Sequence, residues 1–136
     1  MDKKQIIFFN SASSIDLIGG SQRSIDYLIL NLYKIYKIFY ICWNFKSNKL
    51  EINKLDTHII IKIPHPKKNL LSFISVYPKT IKIFKKILNK KTLVWVHSPL
   101  PFFFFKIAKT IPYKYLYSVH GPLITEINYY RSKKVN

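Results

Sequence analysis

Two adjacent glycines, Gly19 and Gly20, lie between an apolar run that predicts a strand and a segment with helical periodicity. Glycine lets the backbone approach a ligand closely, and the free N–H groups at the start of a helix favour an anion. This arrangement predicts a cradle for a phosphate group. The segment matches neither the dinucleotide-binding fingerprint nor the P-loop pattern, so a plain glycine loop is the alternative interpretation.

Two histidines follow apolar runs further along the chain. His97 stands in VHSPLP, and His120 stands in VHGP, next to Gly121. An imidazole at the end of a strand can donate a hydrogen bond to a hydroxyl or phosphate oxygen, or act as an acid or base. Each can also be a structural hydrogen-bonding residue, and for His97 we favour that role. The four histidines are dispersed and no Cys/His pair has the spacing of zinc ligands, so we predict no metal site and no cofactor.

Strand and helix patterns alternate between and beyond these residues. Apolar and β-branched runs predict five strands, and amphipathic or aromatic segments predict four helices. The strands are expected at Gln5–Asn10, Lys37–Phe45, Thr57–Ile63, Thr92–His97 and Tyr113–His120, and the helices at Gly20–Tyr36, Leu70–Asn89, Pro99–Thr110 and Pro122–Ser132. The segment Lys49–Leu55 is either a linker or an extra edge strand. Pro78 predicts a kink or a boundary between two shorter helices.

Alternating strands and helices predict an α/β fold, a doubly wound Rossmann-like domain with a mainly parallel sheet of about five strands. Ligands in such sheets bind beyond the carboxyl ends of the strands. The residues predicted at that edge are Asn10-Ser11, Pro64-His65, His97-Ser98 and His120-Gly121. Asp16 and Glu126 should lie there too, although Asp16 can equally be a turn former.

Composition limits the class of protein. The chain has 136 residues, 49% of them hydrophobic, so we predict one folded domain, 1–136. Cys42 lies in an apolar run and is interpreted as a core residue. No uncharged apolar run is long enough to span a bilayer, and we see no signal peptide, so a cytoplasmic location is expected.

The net charge of +17 arises from 23 Lys and Arg against 6 Asp and Glu. Such a charge attracts phosphorylated ligands, anionic lipid or nucleic acid. Because lysine, isoleucine, asparagine and phenylalanine share A/T-rich codons, genome composition is an alternative source of the excess. Tyrosine and phenylalanine fall mainly at core positions rather than between lysines, which disfavours nucleic acid.

Three segments, taken in order, resemble the N-terminal domain of the GT-B glycosyltransferases of family 4. That domain begins a helix with GG-[small]-[E/Q]-R, matched here by Gly19 to Arg23. It also has a strand that ends in an H-x-P-like turn, matched at His97, and a strand that ends in V-H-G, matched at His120 and Gly121. Order and spacing agree over most of the chain.

The resemblance implies an enzyme, a retaining hexosyltransferase that moves a sugar from a nucleotide sugar to a lipid or saccharide acceptor. It implies that His120 is catalytic and approaches the donor sugar. It also implies that Gly19, Gly20, Arg23, His97 and Gly121 bind the donor phosphates or the substrate.

The family's second, donor-binding domain carries an E-x7-E motif that residues 1–136 lack. We therefore expect a fragment, a truncated product or one half of a split enzyme whose donor-binding domain is a separate partner. Two alternatives stay open: a non-catalytic basic module that binds an anionic membrane or nucleic acid, and the membrane or acceptor subunit of a split glycosyltransferase at the inner face of the membrane.

Overall fold

Six strands and two helices make up the part of the chain that the structure describes. The structure is a computed structural model, and it describes residues 4–16, 19–66, 70–89, 91–98 and 115–118. The elements, in chain order, are β1 (Gln5–Phe9), α1 (Gly20–Leu32), β2 (Lys37–Asn44), β3 (Glu51–Lys54), β4 (Ile59–Pro64), α2 (Leu70–Ile87), β5 (Thr92–Val96) and β6 (Tyr115–Tyr117).

The strands form one sheet in the order β3-β4-β2-β1-β5-β6. Every neighbouring pair is parallel except β3 and β4, which are antiparallel. In the register of the central strand, Phe8 lies between Tyr40 of β2 and Trp95 of β5. The prediction of an α/β fold with a mainly parallel sheet is confirmed.

The helices cover opposite faces of the sheet. Ile25 and Ile29 of α1 pack with Ile6, Phe8 and the even-numbered residues of β2, whereas Phe73 and Phe84 of α2 pack with the odd-numbered ones. Because both faces are covered, β2 is buried from Ile38 to Asn44, which explains its unbroken apolar run.

The structure corrects the prediction in three places. The sheet has six strands rather than about five, because Glu51–Lys54 forms an exposed antiparallel edge strand against β4; of the two interpretations of Lys49–Leu55, the extra edge strand is confirmed. Helix α1 ends at Leu32 rather than Tyr36, since the chain must turn before Lys37 pairs with Gln5. Helix α2 continues through Pro78 instead of dividing there.

Two predicted helices, Pro99–Thr110 and Pro122–Ser132, lie outside the described residues. The predicted strand Tyr113–His120 is described only at 115–118, where β6 pairs in parallel with β5. Neither His120 nor Gly121 falls within the described ranges.

Candidate functional site

The carboxyl end of β1 is joined to the start of α1 through the buried side chain of Asn10. Its Nδ2 donates to the hydroxyl oxygen of Tyr40 at 3.1 Å and to Ser21 Oγ at 3.3 Å. The Tyr40 hydroxyl in turn donates to the carbonyl oxygen of Ala12 at 2.6 Å. Burial raises the pKa of Tyr40, so the phenol keeps the proton that this bond requires. The loop after β1 is thus fixed to β2 and to the first turn of α1.

The two glycines lie where this first turn begins. Gly19 is the N-cap in extended conformation, and its carbonyl oxygen accepts from the Arg23 N–H at 3.0 Å. It has no side chain to cap the first N–H groups of the helix, and the first turn carries no acidic residue. The position of a Cβ at Gly20 has no atom within 4 Å, whereas a Cβ at Gly19 would stand 2.7 Å from Gln22 Oε1. The backbone at Gly20 is therefore open to an approaching group.

An ion-pair cluster holds the loop from the other side. Asp16 is buried, and its Oδ2 lies 2.7 Å from Lys62 Nζ of β4 and accepts from Ser13 Oγ at 3.0 Å. Its Oδ1 lies 3.0 Å from Lys46 Nζ. Burial alone would raise the pKa of Asp16, but the hydrogen bonds from Lys62 and Lys46 outweigh it and lower that pKa. Asp16 also closes a turn, since its N–H donates to the Ser13 carbonyl oxygen at 3.0 Å. Asp16 therefore forms a turn, as one interpretation predicted, in the loop that follows the carboxyl end of β1.

A groove of about 510 Å³ runs between α1 and the carboxyl ends of β5 and β6. It is lined by one guanidinium, one imidazole, three hydroxyl groups and an apolar wall. These residues are Arg23, Ser24, Tyr27, Leu28, Trp95, His97 and Ser118. Trp95 Nε1 donates to Ser118 Oγ at 2.7 Å, so the indole joins the two strands that form the floor. We refer to this cavity as the α1–β5 groove.

His97 lines the α1–β5 groove directly after the carboxyl end of β5. The residue is only 7% exposed, and its backbone N–H donates to the Phe9 carbonyl oxygen at 2.8 Å. The ring stacks on Trp95 at a centroid distance of 5.7 Å and lies 5.9 Å from the Phe8 ring. The imidazole is thus held between aromatic rings with an orientation set by packing.

The predicted site residues divide into three groups in the structure. Arg23 and His97 line the same groove, and Gly19 and Gly20 lie one turn before Arg23 on α1. His120 and Gly121 are not described, but Ser118, two positions earlier, lines the groove too. His65, also predicted at this edge, instead contacts Trp43 and Phe45 at 5.2 and 5.3 Å and is not among the lining residues.

Comparisons with family models, curated proteins and solved structures find no match to this chain. Within the described ranges, no group of three or more His, Cys, Asp or Glu side chains could hold a metal ion. A search of the same residues finds no helix that is long and apolar enough to cross a membrane.

Sequence reasoning missed Lys62, Tyr40 and Trp95 as parts of this region. The sequence could have indicated the role of Lys62, because a lysine inside the buried run IIIKI needs a carboxylate partner and the chain contains only 6 Asp and Glu residues. Nothing in the sequence indicated the roles of Tyr40 and Trp95, since an aromatic residue in a buried strand is usually a core residue. Their polar atoms acquire partners only when distant segments meet.

Proposed function

We propose that residues 1–136 form the N-terminal, acceptor-side domain of a GT-B glycosyltransferase similar to family 4. Its fold would be the doubly wound, Rossmann-like half of that architecture, and a donor-binding domain would complete the enzyme. The observation that best supports this is the α1–β5 groove. Arg23 and His97, assigned to substrate binding from separate sequence segments, line it together with Ser118, which leads into His120.

The lining of the groove suits a substrate with an anionic group and an apolar or ring portion. The guanidinium of Arg23 is exposed and can make charge-assisted bonds to phosphate oxygens. Tyr27, Leu28 and Trp95 provide an apolar wall on which a sugar ring or a lipid chain can pack. The groove therefore offers the two types of contact that a glycosyl acceptor or a nucleotide sugar needs.

In the proposed reaction the bond between the anomeric carbon of a hexose and the diphosphate oxygen breaks. A new bond forms to an acceptor oxygen, whose proton passes to the leaving nucleoside diphosphate. Negative charge grows on the leaving diphosphate, so Arg23 and the uncapped N–H groups after Gly19 would act by electrostatic stabilisation. His120 keeps the role of the catalytic residue that approaches the donor sugar. No cofactor is required by this scheme.

The groove assignment is tested by titrating the isotopically labelled chain with UDP-glucose, GDP-mannose and inorganic diphosphate, followed by NMR. Removing one hydrogen bond to a charged group costs about 1.5–3 kcal/mol, so Arg23→Gln should weaken nucleotide-sugar binding roughly ten- to a hundredfold. Lys34→Gln is the matched control, because Lys34 is an exposed cation two residues beyond the end of α1. Equal losses for both variants would mean that the chain attracts anions through its net charge and has no donor site at Arg23.

A second experiment concerns activity. Because the resemblance assigns nucleotide-sugar binding mainly to the second domain, residues 1–136 alone should not transfer sugar. Radiolabelled transfer assays with purified chain, with and without a donor-binding domain added, would measure this. Sugar transfer by the chain alone, with contaminating enzymes excluded, would contradict the proposal that a separate domain is needed to bind the donor.

A further inference from the structure

The outward side of α2 carries an apolar half and a basic half. At its beginning Leu70, Leu71 and Ile74 are exposed, Leu71 to 80% of its side-chain reference area. Further along, Lys79, Lys82, Lys85 and Lys86 are exposed. Leu71, Ile74, Lys82 and Lys85 recur at three- and four-residue spacing or its multiples, which places them on one side of the helix. We call this surface the outer face of α2.

Leu70, Leu71 and Ile74 do not belong to the core that the described residues form. The opposite side of the same helix already packs on the sheet through Phe73, Thr80 and Phe84. Exposed aliphatic side chains cluster at one end of α2 while its core side is filled, so the outer face has apolar area to offer a partner.

The charge around the outer face is of one sign. No aspartate or glutamate occurs in the sequence between Asp56 and Glu126, a stretch that contains all of α2. A second copy of the chain would bring lysines against lysines at a two-fold interface, which is unfavourable. A partner that satisfies both halves of the face must be anionic and must also accept aliphatic side chains.

We propose that the outer face of α2 docks on the surface of an anionic lipid bilayer. Leu70, Leu71 and Ile74 would enter the boundary between headgroups and acyl chains, and the lysines would lie over the headgroup phosphates. Nucleic acid fits less well, because single-stranded nucleic acid is bound by aromatic stacking, and the exposed apolar residues here are aliphatic. The contact is a peripheral one, in which α2 lies along the surface.

This contact does not depend on what the α1–β5 groove binds. Helices α1 and α2 lie on opposite faces of the sheet, so a variant of one leaves the other intact. Vesicle binding and nucleotide-sugar binding can therefore fail separately.

The first test is sedimentation with vesicles of phosphatidylcholine alone and with 30% phosphatidylglycerol. The double variant Leu71→Ser/Ile74→Ser should lower the partition coefficient for anionic vesicles at least about tenfold. Lys82→Gln/Lys86→Gln should lower it by about fivefold per lysine. The matched controls, Leu30→Ser on α1 and Lys34→Gln two residues after it, are exposed positions and should change little. Equal effects from the α1 and α2 variants would overturn the proposal.

A label distinguishes insertion from simple attraction. Cys42 is the single cysteine and is buried, so Leu71→Cys provides one reactive thiol for an environment-sensitive fluorophore, with Leu30→Cys as control. Blue-shifted emission with anionic vesicles at position 71 alone is the expected result. If the emission does not shift, or if a single-stranded RNA 20-mer binds the chain in a lysine-dependent and leucine-independent manner, the outer face of α2 is not a lipid-docking surface.

Discussion

Breaking the Asp16–Lys62 ion pair should cost more stability than any other single charge change in the described residues. The two groups are 2.7 Å apart, and their side chains are 4% and 7% exposed. Asp16→Asn leaves the ammonium of Lys62 in the protein interior without a carboxylate. Removing one partner of a buried pair typically costs about 3–5 kcal/mol, a large share of the roughly 5–15 kcal/mol that stabilises a domain.

Three further variants allow the loss of stability in Asp16→Asn to be compared within the same protein. Lys62→Met leaves Asp16 bonded to Ser13 and Lys46, so the loss should be smaller than for Asp16→Asn. Lys46→Gln should cost at most about 1 kcal/mol, because that side chain is 68% exposed and its charge is screened. The double variant Asp16→Asn/Lys62→Met removes both charges and should be more stable than the sum of the single losses indicates.

Urea denaturation followed by circular dichroism measures these four free energies of unfolding. The reasoning is refuted if Asp16→Asn costs less than Lys46→Gln, or if the losses at Asp16 and Lys62 are additive. Additivity would mean that the two side chains do not interact in solution. Unchanged dependence of the free energy on urea concentration would show that all variants unfold from a similar native state.

The same pair predicts a pH dependence. The pKa of Asp16 is lowered in the folded protein from the ordinary 3.8, so the unfolded chain binds a proton more readily. The stabilisation is therefore complete above about pH 4–5 and is lost as the pH falls through the folded pKa. Asp16→Asn should remove this part of the acid unfolding curve, and an unchanged curve would contradict the assignment.

Two further predictions concern the glycine turn and the buried thiol. Gly20→Val should leave the melting temperature nearly unchanged, because the Cβ position is open, yet weaken nucleotide-sugar binding by blocking the backbone. Gly19→Ala should also change the melting temperature little, since its Cβ would meet only the far end of the flexible Gln22 side chain. A Gly20→Val variant that melts early but binds normally would contradict this. Cys42 should resist iodoacetamide at pH 8 until the chain unfolds, because burial raises its pKa to about 12. If the native protein were labelled as fast as a free thiol, Cys42 would not be buried in solution.

Much of the sheet was predictable because its strands are local patterns. The runs at Ile6–Phe9 and in β2 are apolar and β-branched or aromatic over their whole length, and the structure places strands there. Helix α2 begins at Leu70, as its periodicity predicts. The end of α1 was not predictable from periodicity, because it depends on the pairing of Lys37 with Gln5 in the sheet.

The candidate site was predictable only as a set of segments. The rule that ligands bind at the carboxyl ends of parallel strands predicted His97 at this edge, whereas Arg23 was assigned only from the family resemblance, and both line the α1–β5 groove. The same rule predicted His65 at this edge, and His65 does follow directly on β4. It is not among the residues that line the groove, because the side chains of neighbouring strand ends alternate between the two faces of the sheet. His65 packs against Trp43, on the face that α2 covers.

The start of α1 is held by strands that contribute nothing to the groove. Gly19 cannot cap the helix with a side chain, and the loop before it is fixed instead by Tyr40 of β2 and Lys62 of β4. A buried ion pair is rarely retained for stability alone, since apolar residues of similar volume stabilise as well or better. What the pair adds here is a defined conformation for the described part of the loop, which ends at Asp16. The anion site that we propose at the start of α1 requires a fixed loop that does not cap the helix with a side chain. Within the described residues, the Asp16–Lys62 pair fixes the loop and Gly19 provides no side-chain cap.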